Sequence, residues 1–231
     1  GTIDSTGSFN NDSGFSIVSW TGTGSNGTIK HGLSTVPKIM IVKERDNANN
    51  WFVYHYSLGA TKQLILQETD AEASFTATWN DTEPTSSVFS VGTSNGTNRS
   101  GGGLIAYCFA DTGNKFFKAG SYTGNGSENG VFCYTGMKPA FVLGKRTDSA
   151  GGWWILDSKR SGGFNLNDEY LLANDSQTEA DDGSFASDFL ANGWKARATN
   201  GNFNASGGSY IFAAFSENPF VTSSGVPATA R

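Results

Sequence analysis

The stretch "FSIVSWTGTGSNG", residues 15–27, decides how the rest of the chain is read. An apolar run leads into Gly22-x-Gly24-x-x-Gly27, the spacing of a dinucleotide-binding loop. That loop works only if a helix follows at once, so that its N-terminus faces the pyrophosphate. Here "TIKHGLSTVP" (28–37) follows, with β-branched residues, a glycine and a proline, and no helical period. Further on, "YTGNGSENG" (122–130) repeats the theme with one extra residue, which destroys the spacing. The stretch therefore reads as a hairpin turn between strands, where glycine and Asn-Gly supply the positive φ that such turns need.

The second occurrence belongs to a longer correspondence. At one offset, Trp20 falls on Tyr122, Pro37 on Pro139, Lys43 on Lys145, Asp46 on Asp148 and Trp51 on Trp153. "PKIMIVKERDNANNWFVY" thus lies over "PAFVLGKRTDSAGGWWIL", and "NRSGGGLIAYCFAD" (98–111) over "NASGGSYIFAAFSE" (204–217). A repeat of this length implies one supersecondary plan used twice. The expected organisation is a linker over 1–13, a first unit over 14–116, a second over 117–220 and an extended tail over 221–231.

Each unit offers a similar series of short runs, several alternating with the period of a half-buried strand. The first has "FSIVSW", "KIMIVKE", "WFVYH", "QLILQ", "SFTATW", "SVFSV" and "LIAYCFA". The second has "FKAGSY", "VFCY", "AFVLGK", "WWILD", "YLLA", "GWKARA" and "SYIFAAF". A short helix is expected over "SFASDFLANG" (184–193), with Ser184 as N-cap and Gly193 just past its end. The expected fold is all-β: a jelly-roll or lectin-like β-sandwich of two tandem similar units, with at most one or two short helices. Two compact domains and one sandwich shared by both units both fit.

Composition agrees. Thirty glycines in 231 residues stand against only 16% charged residues, which marks an ordered, turn-rich chain. The net charge of −5, without a basic stripe, argues against nucleic acid. Runs such as "LIAYCFA" are far too short for helical membrane insertion. Cys108 and Cys133 sit inside apolar runs and read as buried free thiols.

Motifs with chemical potential are few. "GTSNG" (92–96) matches a nucleophile elbow, but loop residues follow it and the chain has only two histidines, His31 and His55. "ETDAE" spaces Glu68, Asp70 and Glu72 so that a strand would project all three carboxyls from one face, as a glycoside hydrolase would need. Its alternate residues, Thr69 and Ala71, are too small to anchor a core strand, so a solvated acidic loop is the plainer reading. "DEY" (168–170) and "EADDG" (179–183) lack the spacing of an EF-hand loop, and no His/Cys cluster has transition-metal spacing. No catalytic residue, metal or cofactor is expected. Of six tryptophans, Trp51 and Trp153 begin equivalent strands and read as core. Trp79 and Trp154 are the better candidates for an exposed sugar platform, with Arg45 and Arg146 at nearby loops to fork onto a partner.

Taken with "WNDTEPTSSVFSVG" and both glycine loops, the sequence over about 14–220 resembles a duplicated β-domain of tail-fibre and other virion proteins of marine bacteriophages. That domain is often found beside laminin-G-like jelly rolls. The resemblance implies a virion structural protein, a tail-fibre or surface-decoration module on the particle, rather than an enzyme. It implies other virion proteins as partners, a homo-oligomer (a trimer by analogy) and a host-surface glycan as ligand. The alternatives are a carbohydrate-binding or adhesin module of a bacterial surface protein and, remotely, a glycoside hydrolase.

Overall fold

The computed structural model describes residues 1–113 and 115–217. The chain divides into two compact units: Gly1–Leu66 with Glu72–Thr112, and Gln67–Ala71 with the chain from Gly113 onward. Both are built from short antiparallel strands in several sheets, a sandwich-like all-β arrangement.

Unit 1 contains β1 (Ser5–Asn10), β2 (Phe15–Thr21), β3 (Gly27–Lys30), β4 (Ile39–Glu44), β5 (Trp51–His55), β6 (Lys62–Ile65), β7 (Ala73–Ser74), β8 (Val88–Val91) and β9 (Gly103–Phe109). Seven of them form one sheet in the order β1-β2-β9-β4-β5-β6-β7, and β3 pairs with β8 as a separate ribbon. Alternation directs Val18, Trp20, Met40, Val42, Leu104 and Ala106 inward, into a core that also takes Ile29, Phe89 and Val91 from the ribbon. The indole of Trp20 meets Phe89 edge-on at 5.7 Å, tying sheet to ribbon. Each such side chain, fully buried, contributes roughly 1.5–3 kcal/mol.

Unit 2 contains β10 (Phe117–Thr123), β11 (Phe132–Tyr134), β12 (Pro139–Arg146), β13 (Trp153–Asp157), β14 (Leu171–Leu172), β15 (Ser187–Leu190), β16 (Gly193–Ala196) and β17 (Ser209–Ser216). Its five-stranded sheet runs β10-β17-β12-β13-β14 and its three-stranded sheet β11-β16-β15. Tyr122 meets Trp194 edge-on at 5.3 Å, within a core that includes Val142, Trp154, Phe189 and Phe212. Cys108 and Cys133 are free and buried, one in each core. Burial raises both thiols, that of Cys108 to about 12.

Several expectations are corrected. Residues 1–13 are not a linker: β1 pairs with β2 through six residues, from Ser5 opposite Trp20 to Asn10 opposite Phe15. Its side chains are almost all exposed, so backbone pairing holds it and no apolar period announces it. "SFASDFLANG" is not a helix but the β15–β16 hairpin, with Leu190 opposite Gly193. Phe185 and Phe189 have helical spacing, yet Ser187 and Phe189 face inward at the strand period. Gly193 is glycine for close approach, since a Cβ there would lie 2.2 Å from the carbonyl oxygen of Cys133. "SFTATW" is strand only at its start; Thr76–Trp79 forms a single helical turn, α1, which buries Thr78 and Trp79. With α2 (Asn95–Asn98) and α3 (Gly201–Asn204), the described residues hold three short helices where at most two were expected. The tail expected over 221–231 lies outside the described residues.

Candidate functional site

The glycine loops are structural, and they are not hairpin turns. β2 ends in the large sheet and β3 begins in the ribbon, so residues 22–26 cross between sheets. The loop wraps over the amide of Asn98, buried at the end of α2. Its Oδ1 accepts from the N–H of Thr23 at 2.9 Å, and its Nδ2 donates to the carbonyls of Ser25 at 2.6 Å and Gly92 at 2.9 Å. In unit 2, Asn204 at the end of α3 accepts from the N–H of Asn125 at 2.9 Å and donates to the carbonyls of Ser127 at 2.8 Å and Ala198 at 3.0 Å. The glycines make room for this. A Cβ on Gly22 would lie 2.2 Å from the Arg99 carbonyl oxygen, and one on Gly124 2.2 Å from that of Ala205. Gly24 and Gly126 take φ of +70° and +66°. The loop's polar groups are turned onto protein carbonyls and amides, which leaves no phosphate cradle. "GTSNG" is explained in the same way: Ser94 is the N-cap of α2, accepting from Gly96 N–H at 3.3 Å, and Asn200 caps α3 through Asn202 N–H at 2.8 Å.

The tryptophans expected as platforms are inside. Trp79 is 1% exposed and packs edge-on against Tyr54 at 6.0 Å; Trp154 is 0% exposed, with Phe203 at 5.0 Å and Trp194 at 5.7 Å. Trp153 is buried as expected, whereas Trp51 is half-buried and stacks on Tyr107 at 6.5 Å. Arg45 is exposed. Arg146 is committed to the fold: it bonds Asp148 at 2.8 Å and the Gly201 carbonyl at 2.9 Å. The bond from Arg146 holds the Asp148 carboxyl below its ordinary range. At the matching place in unit 1, Glu44 is buried beneath amides. Asn47, donating at 2.9 Å, is the main cause of its lowered pKa, helped by Asn49 at 3.0 Å and Arg99 at 3.4 Å.

"ETDAE" is loop rather than strand. Glu68 and Asp70 join Asp175, Gln67, Thr69, Asn174 and Ser176 around an open cleft of about 670 Å³. Beneath it, Lys145 is fully buried, its ammonium donating to the carbonyls of Thr69 at 3.1 Å and Arg146 at 2.9 Å. Burial lowers its pKa to about 8 against the opposing pull of Asp70. Among the described residues no group of three or more His, Cys, Asp or Glu side chains is arranged to hold a metal ion.

Phe9, Tyr56, Phe75 and Phe164 are exposed singly, whereas Phe132 and Tyr134 share the outer face of β11-β16-β15. Register places Cys133, Trp194 and Phe189 in one cross-strand row, and all three enter the core. The rows on either side therefore face outward. One is Phe132, Lys195, Asp188; the other is Tyr134, Gly193, Leu190. Phe132 is 43% and Tyr134 64% exposed, and the Phe132 ring lies over Gly193, where a Cβ would come within 2.9 Å of it. Lys195 donates to Asn129 Oδ1 at 2.6 Å, and Arg197 pairs with Asp188 at 2.6 Å. In unit 1 the ribbon strand β3 presents Thr28 and Lys30 instead, with Thr28 bonded to Thr2 and the Lys30 carbonyl to Ser5. Sequence reasoning missed Phe132 and Tyr134, although "VFCY" carried the signal: if Cys133 faces the core, both neighbours face out.

No curated protein and no solved structure shows significant similarity to the chain. A family model described as "Domain of unknown function (DUF7483)" matches residues 1–219.

Proposed function

The chain belongs to this family of domains of unknown function, and from that premise we propose that it is a structural surface module of a bacteriophage particle that attaches to a host glycan. The virion assignment is supported by the sequence resemblance over about 14–220 to tail-fibre and related virion proteins. The glycan assignment is carried by one observation: two large aromatic side chains, Phe132 and Tyr134, stand exposed on one sheet face that also carries Lys195 and Asp188. An aromatic face packs against the C–H groups of a sugar ring while rim donors and acceptors meet its hydroxyls.

In this reading the two units descend from duplication of one β-domain. Support comes from the paired amides of Asn98 and Asn204, which take matching bonds from loops at matching places in the sequence. The module is a β-sandwich, works as a homo-oligomer beside other virion proteins, and carries out no reaction.

Cryo-electron microscopy of intact particles tests the assignment; density for this fold at a fibre or on the particle surface is the expected result. Finding the protein on bacterial cells and in no particle would establish the adhesin alternative instead. A glycan array tests the binding role separately.

A further inference from the structure

We infer that the outer face of β11-β16-β15 in unit 2 selects an acidic saccharide, one whose ring stacks on Tyr134 and Phe132 and whose carboxylate meets Lys195. The inference rests on reading this face as the glycan site, and it adds the chemical class of ligand.

The face has the size of a sugar-binding plate. Three strands about 4.8 Å apart and three residues long present a plate of roughly 10 by 10 Å. A stable protein partner requires about 800 Å² on each side. The plate is several-fold too small for that and suits one or two sugar rings. The face holds three charged side chains, and two of them, Arg197 and Asp188, neutralise each other at 2.6 Å. Among the described residues Lys195 has only a neutral amide oxygen as hydrogen-bond partner, Asn129 Oδ1 at 2.6 Å. That bond leaves two of its three N–H groups for a ligand, and in register Lys195 stands between Phe132 and Asp188. On a chain with net charge −5, the face thus offers an uncompensated cation beside an aromatic floor. A carboxylate on the sugar complements it, whereas a neutral sugar leaves that charge unanswered.

The two units differ at this place. In unit 1 the corresponding ribbon carries no aromatic side chain on β3, and residues 2–5 bond along it. The corresponding face of unit 1 is therefore not expected to bind in the same way.

The test uses the whole chain on an array of uronate- and sialate-containing oligosaccharides printed beside their carboxyl-reduced counterparts. Hits are followed by titration at two salt concentrations. The expected result is retention of acidic glycans at least tenfold tighter than their reduced forms, weakening as salt rises. Lys195→Met should erase that difference, and Tyr134→Ala should weaken every hit at least tenfold. Both positions are at least partly exposed, so circular dichroism should show both variants folded. Equal binding of acidic and reduced forms would overturn the choice of ligand class and leave the glycan reading standing. Binding that survives both substitutions would overturn the location. No binding to any glycan would overturn the glycan reading itself.

Discussion

At the scale of single residues, a few buried polar groups carry much of the specificity. Asn98 and Asn204 each hold a glycine loop by bonds to three backbone groups, and an alanine in either place leaves those groups unpaired. Each substitution should cost about 3 kcal/mol in urea unfolding. His31 is buried, with Nδ1 accepting from Leu33 N–H at 3.2 Å and Nε2 donating to the Thr85 carbonyl at 3.1 Å, so it is neutral. Burial lowers its pKa below 6.5. The unfolded chain then binds the extra proton first, so the stability due to His31 is complete above about pH 6.5 and declines as pH falls further. Denaturant titrations at pH 7 and pH 5 should show the loss, and His31→Gln should reduce it. Lys145 is depressed from 10.5 to about 8, so its buried charge destabilises the fold by roughly 3 kcal/mol at neutral pH. That cost is relieved as pH rises from about 8 to 10.5. Lys145→Met should flatten stability across that interval; an unchanged slope would show that the ammonium is not desolvated.

At the scale of elements, the strands that were legible are short β-branched and aromatic runs bounded by turn residues. β5 and β13 fall where the sequence put them, and both are buried along most of their length rather than on alternate residues. β1 was not legible, since nothing in "STGSFN" except its partner β2 requires extension. The edge of unit 1 also depends on a fit between elements: Ile3 is buried against Gly27, where a Cβ would come within 2.7 Å of its Cδ1. Gly27→Val should therefore displace residues 1–5. The Ile3 amide, which bonds the Thr28 carbonyl at 3.1 Å, should lose its protection from hydrogen exchange while β9 keeps its own.

At the scale of the whole molecule, each unit has its own core. Phe89→Ala in unit 1 and Phe203→Ala in unit 2 should each cost about 3–5 kcal/mol, with exchange accelerating mainly in the unit that carries the cavity. Uniform acceleration in both units would show a single cooperative core. The sequence by itself determined the all-β class, most strand positions and the structural reading of the glycine motif, because period and turn chemistry are properties of near neighbours. Only the tertiary structure decided which aromatic side chains are covered. The places of Trp79 and Trp154 along the chain suggest platforms, yet α1 turns one inward and β13 lays the other on Phe203 and Trp194. Phe132 and Tyr134 face outward because the row between them, Cys133-Trp194-Phe189, fills the core. Burial is set by residues distant in the chain, and a strand's period says that its two faces differ without saying which one the fold will cover.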